Sequence, residues 1–312
     1  MQKVIRAFSY IFTKLMRTSG AESLCASSNI AVGIESVFTI RPYIKEMTMS
    51  ELCTILTAGM ATIASTVLAI YVSFLSHTFP SIAGHLVSAS ILSAPAAIIM
   101  SKLLYPEEEE PKTLGQVVAV YYEGPSTWME SIIKGSMEGV KLLVGIVALL
   151  LAFLGLLTMV DWLVSTLASW IGELASIQVE VSLEKVLGLG FYPFTLLMGV
   201  PAEDAMRVAM LLGERPIVTE LVSYQHLAQS IDSGALTNPR SIVITTYALC
   251  GFAHIASLAI FIGGLTALVP QRARDLARLG FRALFAANLA CLMTGAVAGV
   301  FLTSTKGQIL GF

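Results

Sequence analysis

Gly59-Met-Ala-Thr-Ile-Ala-Ser65 and Gly251-Phe-Ala-His-Ile-Ala-Ser257 share Gly, Ala, Ile, Ala and Ser at the same spacing in distant parts of the chain. Each copy lies within an uncharged apolar run, residues 52–76 and 241–271, long enough for a membrane helix of about 20 residues. Glycine tolerates unusual backbone angles, and serine can satisfy backbone groups freed from a helix. Both segments therefore suit local unwinding inside the bilayer. Each copy follows a stretch holding a Glu, and each is followed by one further apolar run, 81–101 and 283–305.

The two preceding stretches, 18–45 and 202–231, fit neither a span nor an ordinary loop. The first opens Thr-Ser-Gly-Ala-Glu-Ser-Leu-Cys-Ala-Ser-Ser-Asn and then turns apolar; the second has two short helical patterns joined by Gly213-Glu-Arg-Pro216. Each is long enough for two half-helices, which predicts a re-entrant hairpin. Non-helical backbone at membrane depth is tolerated only against protein or a water-filled cavity, so such hairpins imply a cavity.

Lys and Arg counts orient the spans. The first 45 residues hold six of them, and Arg272, Arg274, Arg278 and Arg282 cluster after the second copy, whereas the turn at 77–80 has none. The basic regions are expected to face the cytoplasm, so the first copy runs outward and the second inward. A unit of hairpin, span and span then occurs twice with opposite topology, as in transporters whose sites lie near the midplane on discontinuous helices.

The expected architecture is an all-α, polytopic membrane protein with two inverted repeats, each a re-entrant helical hairpin followed by two transmembrane helices. Residues 1–17, with Lys3, Arg6, Lys14 and Arg17 between apolar positions, form an amphipathic surface helix. Residues 18–104 are the first repeat and 202–312 the second. Between them, 105–201 is expected to hold an interfacial helix and a scaffold-type span region. A span at 142–160 and a broken crossing at 186–201, punctuated by Pro193 and Pro201, belong to it.

Composition agrees with a lipid solvent. Of 312 residues, 55% are hydrophobic and 13% charged, with a mean hydropathy of +0.78; soluble domains carry about 25% charged residues. That excludes a cytosolic globular enzyme, a disulfide-stapled secreted domain and a disordered scaffold. The net charge of −2 gives no general attraction for nucleic acid. Cys25, Cys53, Cys250 and Cys291 stand in no metal-type spacing and read as small apolar residues. No Walker-type loop, HExxH, GxSxG or paired-Cys motif occurs, which leaves ATP-driven transport and common hydrolase chemistry without support.

Glu35 and Glu220 lie among apolar residues inside the expected hairpins. A carboxylate at membrane depth costs a few kcal/mol and usually faces a cavity or a partner; it is also a good acceptor for the paired hydroxyls of a sugar. The alternative is a Glu at the water interface, paired with Arg41 or Arg215. His254 takes the place of Thr62 in the matched motif, where it is a ligand, a proton carrier or a satisfied polar residue. Asn29, with Thr62, offers oxygens that suit a hard cation such as Na+, or Asn29 caps a half-helix. The run Glu107–Glu110, between Pro106 and Pro111, reads as a solvated loop.

These residues also carry a resemblance. Thr18-Ser-Gly-Ala-Glu-Ser-Leu24, Ile40-Arg-Pro-Tyr43, Met60-Ala-Thr-Ile-Ala64, Ser93-Ala-Pro-Ala96, Met198-Gly-Val-Pro201, Thr246-Tyr-Ala-Leu-Cys-Gly-Phe-Ala253 and Ile262-Gly-Gly-Leu265 resemble, in order, the C-terminal two-thirds of the concentrative nucleoside transporter family. The resemblance implies an ion-driven importer that holds a nucleoside between two hairpin tips and two unwound helices. It needs no cofactor beyond a coupling ion, sodium being favoured over a proton, and it is not an enzyme.

The family's Gly-Gln-Thr-Glu at the first tip is matched here by Val32-Gly33-Ile34-Glu35, one residue shorter, with Glu35 still six residues before Arg41. The resemblance makes Glu35 the ribose-side carboxylate, while the Gln and Thr that recognise the base are replaced by Gly33 and Ile34. At the second tip Asn-Glu-Phe becomes Thr219-Glu220-Leu221. On the second unwound helix Phe-Ala-Asn becomes Phe252-Ala253-His254, and Ser257 matches the ribose-contacting Ser. Asn29, Val32, Thr62 and Ile63 match the family's sodium positions. A site built to bond a given group discriminates by leaving its own partners unpaired with the wrong ligand. Sugar and ion recognition are thus expected to survive, with an altered base preference.

The opening Met1-Gln-Lys-Val-Ile-Arg6 resembles the junction after the family's third transmembrane helix, which leaves the first three scaffold helices missing. The resemblance further implies a multi-pass protein of the plasma membrane (the inner membrane in a bacterium), in contact with lipid and homotrimeric if those helices are supplied. The competing expectation is a truncated, non-transporting membrane protein that keeps the binding fold as a receptor or assembly subunit.

Overall fold

A computed structural model describes residues 2–77, 79–121, 127–175 and 183–302. Twelve α-helices account for most of them, and no β-strand occurs among the described residues. The first is α1 (Gln2–Leu15), whose Phe12 and Thr13 are buried while its lysines and Arg6 stay exposed. It packs on α2 (Gly20–Val32). Ser19 opens α2 with a capping box: its hydroxyl accepts from the Glu22 N–H, and the Glu22 carboxylate accepts from the Ser19 N–H. That exchange satisfies donors the first turn would otherwise orphan.

Beyond Val32 the chain continues as a 3-10 segment, Gly33–Ile40, where the sequence reading anticipates a second half-helix. Side chains three apart eclipse in a 3-10 helix, and Val37 and Ile40, spaced in that way, are both buried. A short 3-10 turn, Ile44–Glu46, leads to α3 (Met49–Ala61), opened by a second capping box between Thr48 and Glu51.

The apolar run 52–76 is not one helix. It breaks at Thr62–Ala64, and α4 (Ser65–Leu75) follows. Next comes α5 (Ile82–Leu104). Its Lys102 pairs with the buried Glu22 at 3.0 Å and with Glu107 at 3.1 Å, and donates to Ser50 Oγ. Glu107 is thereby drawn in from the expected solvated run, whereas Glu108, Glu109 and Glu110 stay exposed.

In the middle region the interfacial helix and span expected separately are one helix, α6 (Trp128–Ala175). No proline interrupts its 48 residues, which extend about 72 Å. Then come α7 (Leu183–Leu197) and α8 (Ala202–Val218), packed against each other. The turn expected at Gly213–Pro216 does not form there. Pro216 is accommodated within α8, and the chain reverses at Thr219 into α9 (Glu220–Asp232).

The run 241–271 is broken as well, into α10 (Pro239–Leu249) and α11 (Ile255–Leu268), with Cys250–His254 between them. The last helix, α12 (Ala273–Phe301), packs on α3, α5, α10 and α11. Among the described residues three stretches are long and apolar enough to cross a membrane: Ile82–Leu104, Leu151–Trp170 within α6, and Pro270–Phe301. Residues 303–312, the end of the expected last span, lie outside the described residues.

Two apolar cores share α5 and α12. One joins α2, α3 and α11 around Leu24, Leu56, Met60, Phe261 and Leu279. The other joins α4, α8, α9 and α10 around Tyr71, Leu212, Tyr224, Tyr247 and Leu249. Both helix breaks lie where these cores meet.

Candidate functional site

The two matched heptapeptides come together. A Cβ placed on Gly251 would lie 2.8 Å from the Ala61 carbonyl oxygen and 2.6 Å from Cys291 Sγ, so only glycine allows this approach. Cys291 Sγ lies 3.8 Å from the Ala61 oxygen and 3.7 Å from the Cys250 oxygen, seated between the two breaks.

At the first break, Thr62 adopts extended backbone, and its N–H and hydroxyl both donate to the Ala58 carbonyl, at 3.3 and 2.9 Å. Asn29 Nδ2 reaches across from α2 and donates to the same carbonyl at 2.8 Å. The Asn29 side chain does not cap a helix, and its Oδ1 is buried without a hydrogen-bond partner. Buried acceptors in native proteins are nearly always paired, so such an atom asks for an explanation. Ile63 is fully buried.

Val32 and Gly33 form the first tip. Gly33, at φ 70°, turns the chain, and a Cβ there would stand 2.8 Å from Ala64 Cβ and 3.6 Å from Glu35 Oε2. The tip therefore lies against the first break, with the Glu35 carboxylate beside Gly33. Glu35 is exposed, and Val32 is 38% exposed. Ile34 belongs to the same 3-10 segment.

The second tip is closed differently. Thr219 turns the chain at φ 127°, ψ 157°, a region that L-residues other than glycine occupy only under strain. Glu220, 4% exposed, accepts from the Tyr71 hydroxyl at 2.7 Å through Oε1. Its Oε2 stands 2.8 Å from His254 Nε2, an ion-pair distance, yet makes no hydrogen bond in this arrangement. His254 is the N-cap of α11: Nδ1 accepts from the Ser257 N–H at 3.1 Å, and Ser257 Oγ lies 2.6 Å from Nε2. The Phe252 ring meets the imidazole edge-on, with centroids 6.4 Å apart.

Arg215 is not a partner for Glu220. It is fully buried, donating to the Ala248 carbonyl and to Asn288 Oδ1, and its Nε has no partner. Ala248 is one of the last residues of α10, whose orphan carbonyls carry partial negative charge that favours a cation. Asn288 also donates to the Ala253 carbonyl inside the second break, at 3.1 Å.

Thus Asn29, Thr62, Gly33 and Glu35 gather at one break, and Glu220, Phe252, His254 and Ser257 at the other. Tyr71, Arg215, Asn288 and Cys291 complete the arrangement without having been singled out for it. A lone Asn in the apolar run 283–305 was the available signal for Asn288. Tyr71 carried none, because an aromatic residue in a span is ordinarily core. Among the described residues no group of three or more His, Cys, Asp or Glu side chains could hold a metal ion.

An all-helical, membrane-type fold with two broken helices and a buried carboxylate is an arrangement found in membrane transporters. Residues 85–299 match the family described as Na+ dependent nucleoside transporter C-terminus, and the chain belongs to this family. Solute carrier family 28 member 3 of Mus musculus is 39% identical over 96% of this chain and 43% of its own length. Sodium/nucleoside cotransporter 1 of Rattus norvegicus is 37% identical over 96% of this chain and 47% of its own. The chain thus spans less than half the length of these two relatives. A solved structure of a CNTnw variant in its intermediate 3 state superposes with a TM-score of 0.84 at 31% identity, covering 97% of this chain and 71% of that one.

Proposed function

We propose that this chain is a sodium-coupled nucleoside symporter, or the substrate-binding transport part of one. It takes up a nucleoside or related ribosyl compound across the plasma membrane. The observation that carries the reading is the meeting of two carboxylate-bearing tips with two broken helices, in a chain of this family. Each tip and its broken helix belong to one of two inverted repeats, 18–104 and 202–312. The tips are those of re-entrant hairpins, and 1–17 and 105–201 are the surface helix and the scaffold-type region. With scaffold helices the assembly is a homotrimer.

The ribosyl hydroxyls lie between Glu35 and Glu220, with His254, Ser257 and Phe252 on the second broken helix. Gly33, Ile34 and Thr219 line the tips. Gly33 and Ile34 offer no side-chain donor or acceptor to a base, so base choice is relaxed or redirected. Sodium is held by Asn29, Val32, Thr62 and Ile63. The orphan Oδ1 of Asn29 supports this, since a hard cation takes oxygen ligands.

Equilibrium binding of tritiated uridine and adenosine to the purified chain in lipid nanodiscs, in sodium or choline chloride, tests the reading. Sodium strengthens binding. Glu220→Gln weakens it about tenfold or more, as expected for loss of a charge-assisted hydrogen bond. Glu35→Gln weakens it less, because that carboxylate is exposed. Binding indifferent to sodium and to both substitutions would overturn the proposal.

A further inference from the structure

Glu220 is reached from the other half of the chain. Tyr71, on α4, donates to its Oε1 at 2.7 Å across 149 residues of sequence. A hydroxyl-to-carboxylate bond of this length is charge-assisted, about twice as strong as a neutral one. The tyrosine is itself held: fully buried, it stacks on Tyr224 with ring centroids 4.6 Å apart and planes at 23°. Tyr224 is fixed in turn, because its hydroxyl donates to the Thr246 carbonyl of α10 at 2.7 Å.

The last torsion of a glutamate side chain is broad and nearly two-fold, so a carboxylate turns unless something fixes its oxygens. A tyrosine has one O–H to give, and here it goes to Oε1. Oε2 has no hydrogen-bond partner although Glu220 is only 4% exposed. His254 Nε2 stands 2.8 Å away without bonding it, and that nitrogen is 2.6 Å from Ser257 Oγ instead. Buried acceptors are nearly always paired, and one left open on a charged group asks for a donor. The two oxygens of this carboxylate are therefore unequal before a ligand arrives.

We propose that Tyr71 is a positioning residue for the second tip: its hydroxyl takes Oε1 of Glu220 and fixes the carboxylate with Oε2 as the open acceptor, so that this tip receives one ligand hydroxyl rather than an adjacent pair. This rests on the reading of Glu220 as a substrate carboxylate. A carboxylate with both oxygens open takes the two neighbouring hydroxyls of a ribose side by side, one on each oxygen. With Oε1 claimed, the first hydroxyl goes to Oε2 and the second finds no equivalent place on this group. Tyr71 lies within residues 18–104 and Glu220 within 202–312, so the hydroxyl selectivity of one tip is set from the opposite half.

The test is competition binding to the full chain in nanodiscs, at fixed sodium and pH. Tritiated uridine or adenosine is displaced by the unlabelled nucleoside and by its 2′-deoxy and 3′-deoxy derivatives. Each deoxy penalty is the ratio of two dissociation constants on the same protein, so a general loss of stability cancels. Tyr71→Phe keeps the stack and removes the donor, which opens Oε1 to the ligand's second hydroxyl. The smaller of the two wild-type penalties then grows about tenfold or more, the worth of one hydrogen bond to a charged group. Tyr71→Met fills the same space without a donor; it gives the same increase and keeps the test open if the Phe variant does not fold. Tyr224→Phe loses a buried hydroxyl from the same stack, but one that serves Thr246, and its penalties match wild type.

Unchanged penalties in Tyr71→Phe and Tyr71→Met overturn the proposal. An equal increase in Tyr224→Phe, or loss of all binding by both Tyr71 variants, overturns it as well. In each case the nucleoside reading stands, because wild type still binds. Absence of binding by wild type overturns that reading and this proposal with it.

Discussion

The two broken helices begin from nearly the same heptapeptide and end in different electrostatic states. At the first, the break is held by neutral groups: Thr62 and Asn29 both donate to the Ala58 carbonyl, and Asn29 Oδ1 is left over. The tip carboxylate, Glu35, is exposed. At the second, a buried guanidinium pins the break through Ala248 and Asn288, and the tip carboxylate is buried against His254 and Tyr71. Local sequence thus sets where a helix unwinds, while the side chains brought in from α2, α8 and α12 set how the freed carbonyls are satisfied. One half is held by neutral groups and the other carries its own cation.

The largest break in that comparison comes from removing the cation. Arg215→Ala deletes two charge-assisted hydrogen bonds, each worth about 1.5–3 kcal/mol, and leaves the Ala248 carbonyl and Asn288 Oδ1 without their donor. Removing a buried charge with an orphan Nε offsets part of this. We expect a net loss of about 3 kcal/mol, read as a lower thermal unfolding midpoint of the purified chain. Arg215→Lys retains the charge but not the fork, and recovers only part of the loss. An Arg215→Ala protein as stable as wild type would show that the second break does not depend on its cation.

Much of this arrangement was legible in the sequence, for identifiable reasons. Gly251 sits in the second break and Ser65 opens α4, whereas Gly59 and Ser257 lie within α3 and α11 beside the breaks. The identities of the second tip's partners were less accessible. Arg215 looked like a mate for a nearby carboxylate, but the C-terminal carbonyls of α10, 33 residues away, claim it. The turn expected at Gly213–Pro216 falls instead at Thr219, because α8 absorbs Pro216 and the tip is set by packing against α4 and α10. The arm after the first tip is 3-10 rather than α, and its buried Val37 and Ile40 stand at a spacing that shares a face in either helix. Periodicity over eight residues does not separate those two helices.

A smaller effect sharpens the neutral half. Asn29→Ala removes one neutral hydrogen bond to the Ala58 carbonyl, worth about 1 kcal/mol, and also deletes the orphan acceptor. The stability loss measured in choline is therefore expected to be about 1 kcal/mol. The stabilisation by sodium, seen in wild type as a higher unfolding midpoint, is expected to vanish. Asn29→Asp keeps an oxygen and adds charge, so its sodium response persists. A sodium response that survives Asn29→Ala would place the cation elsewhere and remove the proposed asymmetry between the halves.

The smallest expected effect concerns the turn at the second tip. Thr219 holds φ at 127°, where a side chain costs about 1–3 kcal/mol; the first tip meets its positive φ with Gly33. Thr219→Gly relieves that strain but gives the unfolded chain about 0.5–1 kcal/mol of extra entropy. The net gain is about 1 kcal/mol, or an unfolding midpoint roughly 2–4 °C higher. If the threonine also contacts ligand, nucleoside affinity falls while stability rises, the trade expected where strain is kept for function. A variant that is no more stable and binds as well as wild type would mean that the surrounding packing of Glu220 and Ser223, rather than the Thr219 side chain, fixes the shape of the tip.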